Sequence, residues 1–149
     1  MPKSIIFIQT AKANMNIHTI KEIELLFKHL CNTLKPKVPY VTNSLEYVQV
    51  GEFGLALEFI CDWCVDATPE VRLTAKELLK IKEVGHHVMK DHLWIELLPI
   101  LIDSEKNVFP VAELDNVNYY IEQQLIQNPQ RKEWISKINQ AVETIKQFA

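Results

Sequence analysis

Between Val50 and Asp66 the chain carries a pattern that fits a helix with two unlike sides. At about 100° per residue, Phe53, Ala56, Leu57, Ile60, Cys61 and Cys64 share one broad apolar sector, while Glu52, Glu58, Asp62 and Asp66 occupy the opposite third. Leu55, Phe59 and Trp63, at i, i+4 and i+8, lie among these carboxylates. One side of the helix therefore belongs to a core. The other alternates aromatic and acidic groups, which suits either a second core contact or a surface for a partner. Glu58, Asp62 and Asp66 repel each other at i, i+4 spacing, at a cost of a few tenths of a kcal/mol per pair, and a cationic partner would relieve that cost.

A helix of this kind needs other helices around it. The chain has three glycines in 149 residues, Gly51, Gly54 and Gly85, too few for a sandwich or barrel that must turn tightly every ten residues or so. Its 48% hydrophobic content supports one domain over residues 1–149. The expected architecture is all-α: an antiparallel bundle of five to six main helices around the central one, with a short strand or extra helix at the amino terminus.

The periodicity sets the other elements. Residues 4–9 suit a short strand or the start of a helix equally well. From Ile17, the residues Ile20, Ile23, Phe27, Leu30 and Leu34 repeat at helical spacing, widened by Leu26, until Pro36 stops them. A loop with Pro36 and Pro39 leads to a short helix over 45–49, for which Asn43 or Ser44 is a candidate cap. After the central helix there are two start signals, Thr68-Pro69-Glu70 and the capping box Thr74-Ala75-Lys76-Glu77. The helix that follows runs to about Lys90, with Leu78, Ile81, Gly85 and Val88 on one face and a bulky neighbour expected against Gly85. Residues 93–102 are apolar on nearly all sides and read as a buried helix kinked or ended at Pro99. A polar connection over 103–110 leads to a helix over 111–125 with Leu114, Val117, Ile121 and Leu125 inward and Tyr119 or Tyr120 at its edge. Asn128-Pro129 opens the last helix, striped by Trp134, Ile138, Ala141, Val142 and Ile145 up to Phe148.

Charge narrows the function. Net charge is −3, but residues 41–71 hold six acids and no Lys or Arg, whereas residues 1–40 hold six Lys against two Glu. Such a face repels a phosphate backbone, which excludes nucleic acid as its partner, and attracts a basic protein. The apolar run at residues 5–8 is too short for a signal segment or membrane span, and three cysteines make no disulfide framework. A cytoplasmic protein with no membrane partner is expected. Cys61 and Cys64 match C-x-x-C in letters but lie on the apolar side of a helix, as core residues do, not at an exposed helix start. His86, His87 and His92 with these cysteines would have to assemble zinc from separate helices, so no metal or other cofactor is expected. Glu58 and Asp62 lack a neighbouring nucleophile or base, so no catalytic residues are expected.

Gly51-Glu52-Phe53-Gly54-Leu55-Ala56-Leu57-Glu58, followed by Ile60-Cys61-Asp62-Trp63, resembles a pattern in small helical immunity proteins of bacterial polymorphic toxin systems, those of the Maf type and of contact-dependent growth inhibition. The resemblance covers mainly residues 45–66. It implies a cytoplasmic, non-enzymatic protein that binds and neutralises a cognate toxin domain, often a nuclease, by covering its basic surface. Under that reading Glu52, Glu58, Asp62, Asp66 and Glu70 supply a negative field, and Phe59 and Trp63 supply anchors. The alternative is a helical adaptor or scaffold for another basic protein; a thiol- or metal-dependent enzyme built on Cys61, Cys64 and His87 ranks behind both. Oligomeric state is open.

Overall fold

The computed structural model describes residues 17–102, 109–114 and 117–147. Among them every regular element is helical, apart from one isolated parallel bridge between Leu73 and Leu101. The helices are α1 (Ile17–Leu34), α2 (Leu45–Gln49), α3 (Phe53–Asp66), α4 (Ala75–His87), α5 (Leu93–Glu96), α6 (Val117–Gln127) and α7 (Lys132–Gln147). Short 3-10 turns fill Pro39–Ser44, Leu98–Ile100, Val111–Leu114 and Pro129–Arg131. The reading of residues 4–9, and the end of the last stripe at Phe148, fall outside the described residues.

The core follows the helical stripes. Ile20, Ile23, Phe27, Leu30 and Leu34 of α1 are buried, and α1 packs on α4 and α2. All six residues of the apolar sector of α3 are buried, against α2, α4, α5 and the 39–44 turn. No helix among the described residues is long and apolar enough to cross a membrane.

Two helices close with the same backbone device. After α2, Gly51 has φ 81°, its N–H donates to Val48 O (3.1 Å), and Glu52 N–H reaches back to Tyr47 O (2.9 Å). That is a Schellman closure with glycine in the left-handed position, and it aims the chain into α3. After α4, Lys90 N–H reaches back to Gly85 O (2.8 Å), and the left-handed position is held by Met89, φ 61°. Gly85 is needed for a different reason. A Cβ there would stand 2.7 Å from Lys90 O, so the close neighbour expected at Gly85 is the chain's own backbone, joined by the side chain of Leu57.

Of the two start signals before α4, only the second opens a helix. Thr68 Oγ1 donates back to Val65 O (2.7 Å), and residues 67–70 turn around a cis Thr68–Pro69 bond. At Thr74 the capping box is complete: Thr74 Oγ1 accepts from Glu77 N–H (3.1 Å), and Glu77 Oε1 accepts from Thr74 N–H (2.8 Å). The Glu77 carboxylate is buried and also accepts from Lys37 Nζ (2.6 Å), which fastens the cap of α4 to the loop after α1. Ser44 holds the cap position of α2 but makes no side-chain cap bond. It is buried and donates to Val41 O (2.6 Å).

The second half departs further from local expectation. Residues 93–102 are buried almost throughout, as expected, but form α5, a 3-10 turn through Pro99, and an extended end. Leu73 N–H donates to Ile100 O (2.9 Å), Ile102 N–H donates to Leu73 O (2.7 Å), and Arg72 donates to the carbonyls of Ile100 and Leu101. The Leu73 backbone and the Arg72 guanidinium, the latter 28 and 29 residues from the carbonyls it binds, draw the segment out of helix. The expected helix over 111–125 is divided into the 111–114 turn and α6. Leu125 is 41% exposed rather than inward, because at that level of α6 the inner place is taken by Gln124, bonded to Arg131 (3.1 Å) and Asn128 (3.2 Å). On α7, Ile135 joins Ile138, Val142 and Ile145 in the core, and Trp134 lies half-buried at its edge.

The α4 closure sets a test of opposite signs. Met89→Gly is expected to stabilise by about 0.5–1 kcal/mol, since only glycine takes a left-handed φ freely. Gly85→Ala is expected to destabilise by at least about 1 kcal/mol, because a backbone carbonyl cannot yield as a side chain can. Urea denaturation of the two variants measures both.

Candidate protein-binding cleft

The outer side of α3 faces across a gap to α6 and α7. The gap is a cleft of about 1120 Å³. One wall is α3, through Leu55, Glu58, Phe59, Asp62 and Asp66. Tyr120 and Gln124 of α6, Arg131, and Glu133, Trp134 and Lys137 of α7 line it as well. His92, Leu93, Glu96 and Leu97 line it too, and Cys61 and Val65 add to the α3 wall.

Glu96 organises the side of the cleft away from α3. Its carboxylate accepts a two-pronged pair from Arg131, Nη1 to Oε1 at 2.8 Å and Nη2 to Oε2, and it also accepts from the Tyr120 hydroxyl. Its backbone oxygen accepts from the Trp134 indole N–H (3.1 Å). One residue of α5 thus holds α6, the 129–131 turn and the start of α7. A fork-to-fork pair of this kind fixes direction as well as distance. The hydrogen bond to Glu96 pushes the Arg131 guanidinium above its already high ordinary value, against the opposing effect of burial.

The α3 wall holds an aromatic ladder. Phe59 stacks between Tyr47 of α2 (4.9 Å between centroids) and Trp63 (5.7 Å), and all three rings are half-buried. The acids beside it differ in their partners. Glu58 is already paired with Lys90 Nζ (3.0 Å), whose stem crosses α3 at Gly54. Asp62 and Asp66 are exposed and have no cationic partner among the described residues. Partial burial, with Asp66 and Glu58 adding like charge, pushes the Asp62 carboxyl above its ordinary range. Like charge from Asp66 and Glu58 thus adds to burial at Asp62, in the direction that the spacing along α3 implies.

Of the seven residues expected at a partner surface, Glu58, Phe59, Asp62 and Asp66 come together along the cleft. Trp63 stands beside it, stacked on Phe59, while Glu52 and Glu70 lie outside it. Sequence reasoning missed Glu96, Arg131, Tyr120, Trp134 and Lys137. A signal for the first was present: Glu96 is the sole charged residue in the apolar run 93–102 and would need a cation on burial. Arg131 is one of only two arginines in the chain, the other being Arg72, and both are used in tertiary contacts.

Of the thiols and imidazoles that could serve chemistry, Cys61 and His92 border the cleft, whereas Cys64, His86 and His87 lie outside it. Cys61 and Cys64 are in the core, where burial pushes Cys64 up to about 12, with Glu77 adding to the rise and Lys37 opposing it. Burial likewise raises Cys61, aided by Cys64 and the nearby acids. Such thiols stay protonated and unreactive at neutral pH. His86 and His87 are exposed in the last turn of α4, and His86 Nδ1 lies 3.3 Å from Asp91. Among the described residues, no three His, Cys, Asp or Glu side chains converge as a metal site requires. In comparison with known proteins, the chain matches no family model, no curated protein and no solved structure.

Two outcomes follow from these contacts. Asp62→Asn is expected to stabilise the fold at pH 7 by a few tenths of a kcal/mol, the scale of an exposed like-charge pair. A carboxyl raised in the folded state favours folding below its unfolded pKa, and that advantage is lost as pH rises through the folded value. The gain from Asn should therefore vanish below about pH 4, read from stability measured across pH 3–7. Glu96→Ala should cost about 1–3 kcal/mol by stranding Arg131 and Tyr120, and change the Trp134 environment in near-UV circular dichroism.

Proposed function

We propose that this chain is an immunity protein, a stoichiometric inhibitor that binds a cognate bacterial toxin domain, a nuclease, and neutralises it by covering its basic surface. The observation that carries this reading is the outer side of α3. It presents Asp62 and Asp66, which have no cationic partner among the described residues, beside the stacked rings of Phe59 and Trp63. A nuclease must be basic where it holds its substrate, and an acidic inhibitor associates rapidly with such a surface. Half-buried aromatic rings among the acids add the slow dissociation that charge alone does not provide. The resemblance over residues 51–63 supports the same conclusion. In this reading the protein acts in the cytoplasm of the cell that makes the toxin and needs neither cofactor nor catalytic group.

The contacts refine which acids matter. Glu58 is neutralised by Lys90, so Asp62 and Asp66 carry more of the attraction than Glu58 does. Co-expression with the protein encoded immediately upstream is the test, read by growth and by co-purification. Expected are killing by that protein alone, rescue by this chain, and a one-to-one complex. Asp62→Lys with Asp66→Lys should slow association at least about tenfold at low salt, with less effect at high salt. An upstream protein that neither kills nor binds would overturn the toxin reading and leave an adaptor for some other basic protein.

A further inference from the structure

We propose that the cleft between α3 and α6–α7 receives an arginine side chain, carried on a basic segment of the partner and set between the Asp62 and Asp66 carboxylates and the Trp134 ring. The inference rests on the reading of α3 as a partner surface. It goes beyond that reading by assigning half of the site to α7, which no sequence feature marked.

Three observations carry it. The first is charge complementarity. Five carboxylates and two cations line the cleft, and two of the carboxylates are spoken for, Glu58 by Lys90 and Glu96 by Arg131. Among the described residues, Asp62, Asp66 and Glu133 then stand against Lys137 alone. The second is shape. A flat acidic face would hold a partner by long-range attraction only, whereas a cleft of about 1120 Å³ with a rim of exposed charges can surround an inserted side chain.

The third observation is that the cleft already contains a cation on an aromatic face. Lys137 Nζ sits 5.4 Å from the centroid of the Trp134 ring. That ring is fixed from below by its indole N–H on Glu96 O, so its exposed face is presented rather than free to turn. A protein cation on an indole face is attracted by the ring quadrupole, and guanidinium suits such a face better than ammonium because it is planar and more weakly hydrated. The same guanidinium can offer a fork of donors to a carboxylate. Lys137 therefore occupies the place that an incoming arginine would take, and it competes with that arginine.

This competition supplies a test with an unusual sign. The isotope-labelled full chain is titrated with a hexa-arginine peptide and followed by NMR, where three tryptophans give three indole signals and Trp134→Phe assigns one of them. The Trp134 indole and the backbone amides of Asp62 and Asp66 are expected to move together and saturate together. Lys137→Ala should tighten the peptide by about 2- to 5-fold. Lys132→Ala, which removes the same charge from the same helix outside the cleft, should tighten it less. Asp62→Asn with Asp66→Asn should weaken it about 5-fold.

Shifts confined to α3 with the Trp134 indole unmoved would overturn the proposal, as would Lys137→Ala no tighter than Lys132→Ala. Movement of the Trp134 signal with protein concentration alone would assign the cleft to a second copy of the chain and overturn it too. Failure here is distinguishable from failure of the toxin reading. A toxin neutralised normally by a chain whose Trp134 does not respond removes the arginine site alone. An inert upstream protein beside a responsive Trp134 removes the toxin alone.

Discussion

One carboxylate, Glu96, decides how the second half of this protein meets the first. It stands in a segment otherwise apolar from residue 93 to residue 102, and folding takes it out of bulk water to 15% side-chain exposure. An ionised carboxylate in that position must be paired, and Arg131 with Tyr120 meets the requirement. The consequence is geometric. Because the pair is two-pronged and the Trp134 indole holds the adjacent backbone oxygen, the 129–131 turn and the start of α7 are set in direction as well as position. Core packing of the α7 stripe brings the far side of the cleft into place, and that pair fixes its direction.

The α3 wall works by the opposite logic. There the acids are numerous and, among the described residues, only Glu58 finds a cation, through a lysine whose stem crosses α3 at Gly54. Asp62 is left beside two like charges, which costs stability in the free protein. Stability alone would favour a neutral or basic residue at this place. A surface that is slightly unfavourable by itself and favourable against a cation is what a binding face requires, and this tension lies behind the proposed function. Elsewhere the chain satisfies its polar groups: the buried Glu77 is shared between a capping box and Lys37, and no buried side-chain nitrogen or oxygen among the described residues lacks a partner.

Legibility in the sequence varied with the range of the interactions. The stripes of α1, α3 and α7 could be read because a period near 3.6 is a local property, and their apolar sectors are buried with few exceptions. The capping box at Thr74 was legible for the same reason, since its two hydrogen bonds span three residues. Thr68 carried an equally good local signal and failed, its hydroxyl turned back to Val65 O. Residues 93–102 were legible as buried but not as to conformation. A run apolar on every side has no face from which to read a period, and Leu73 and Arg72 decided its shape from far along the chain.

The sequence by itself determined that the protein is helical, that α3 has an apolar and an acidic side, and that the acids on it repel one another. All of these depend on residues within a few positions of each other, where backbone geometry fixes which side chains are neighbours. Only the tertiary structure decided that Glu58 is neutralised by Lys90, that Glu52 and Glu70 stand apart from Asp62 and Asp66, and that α7 faces α3 across a cleft. Those outcomes rest on pairs such as Glu58 with Lys90, 32 residues apart, and Glu96 with Arg131, 35 residues apart. No local spacing encodes such pairs, because they form only when packing of the core brings their helices together.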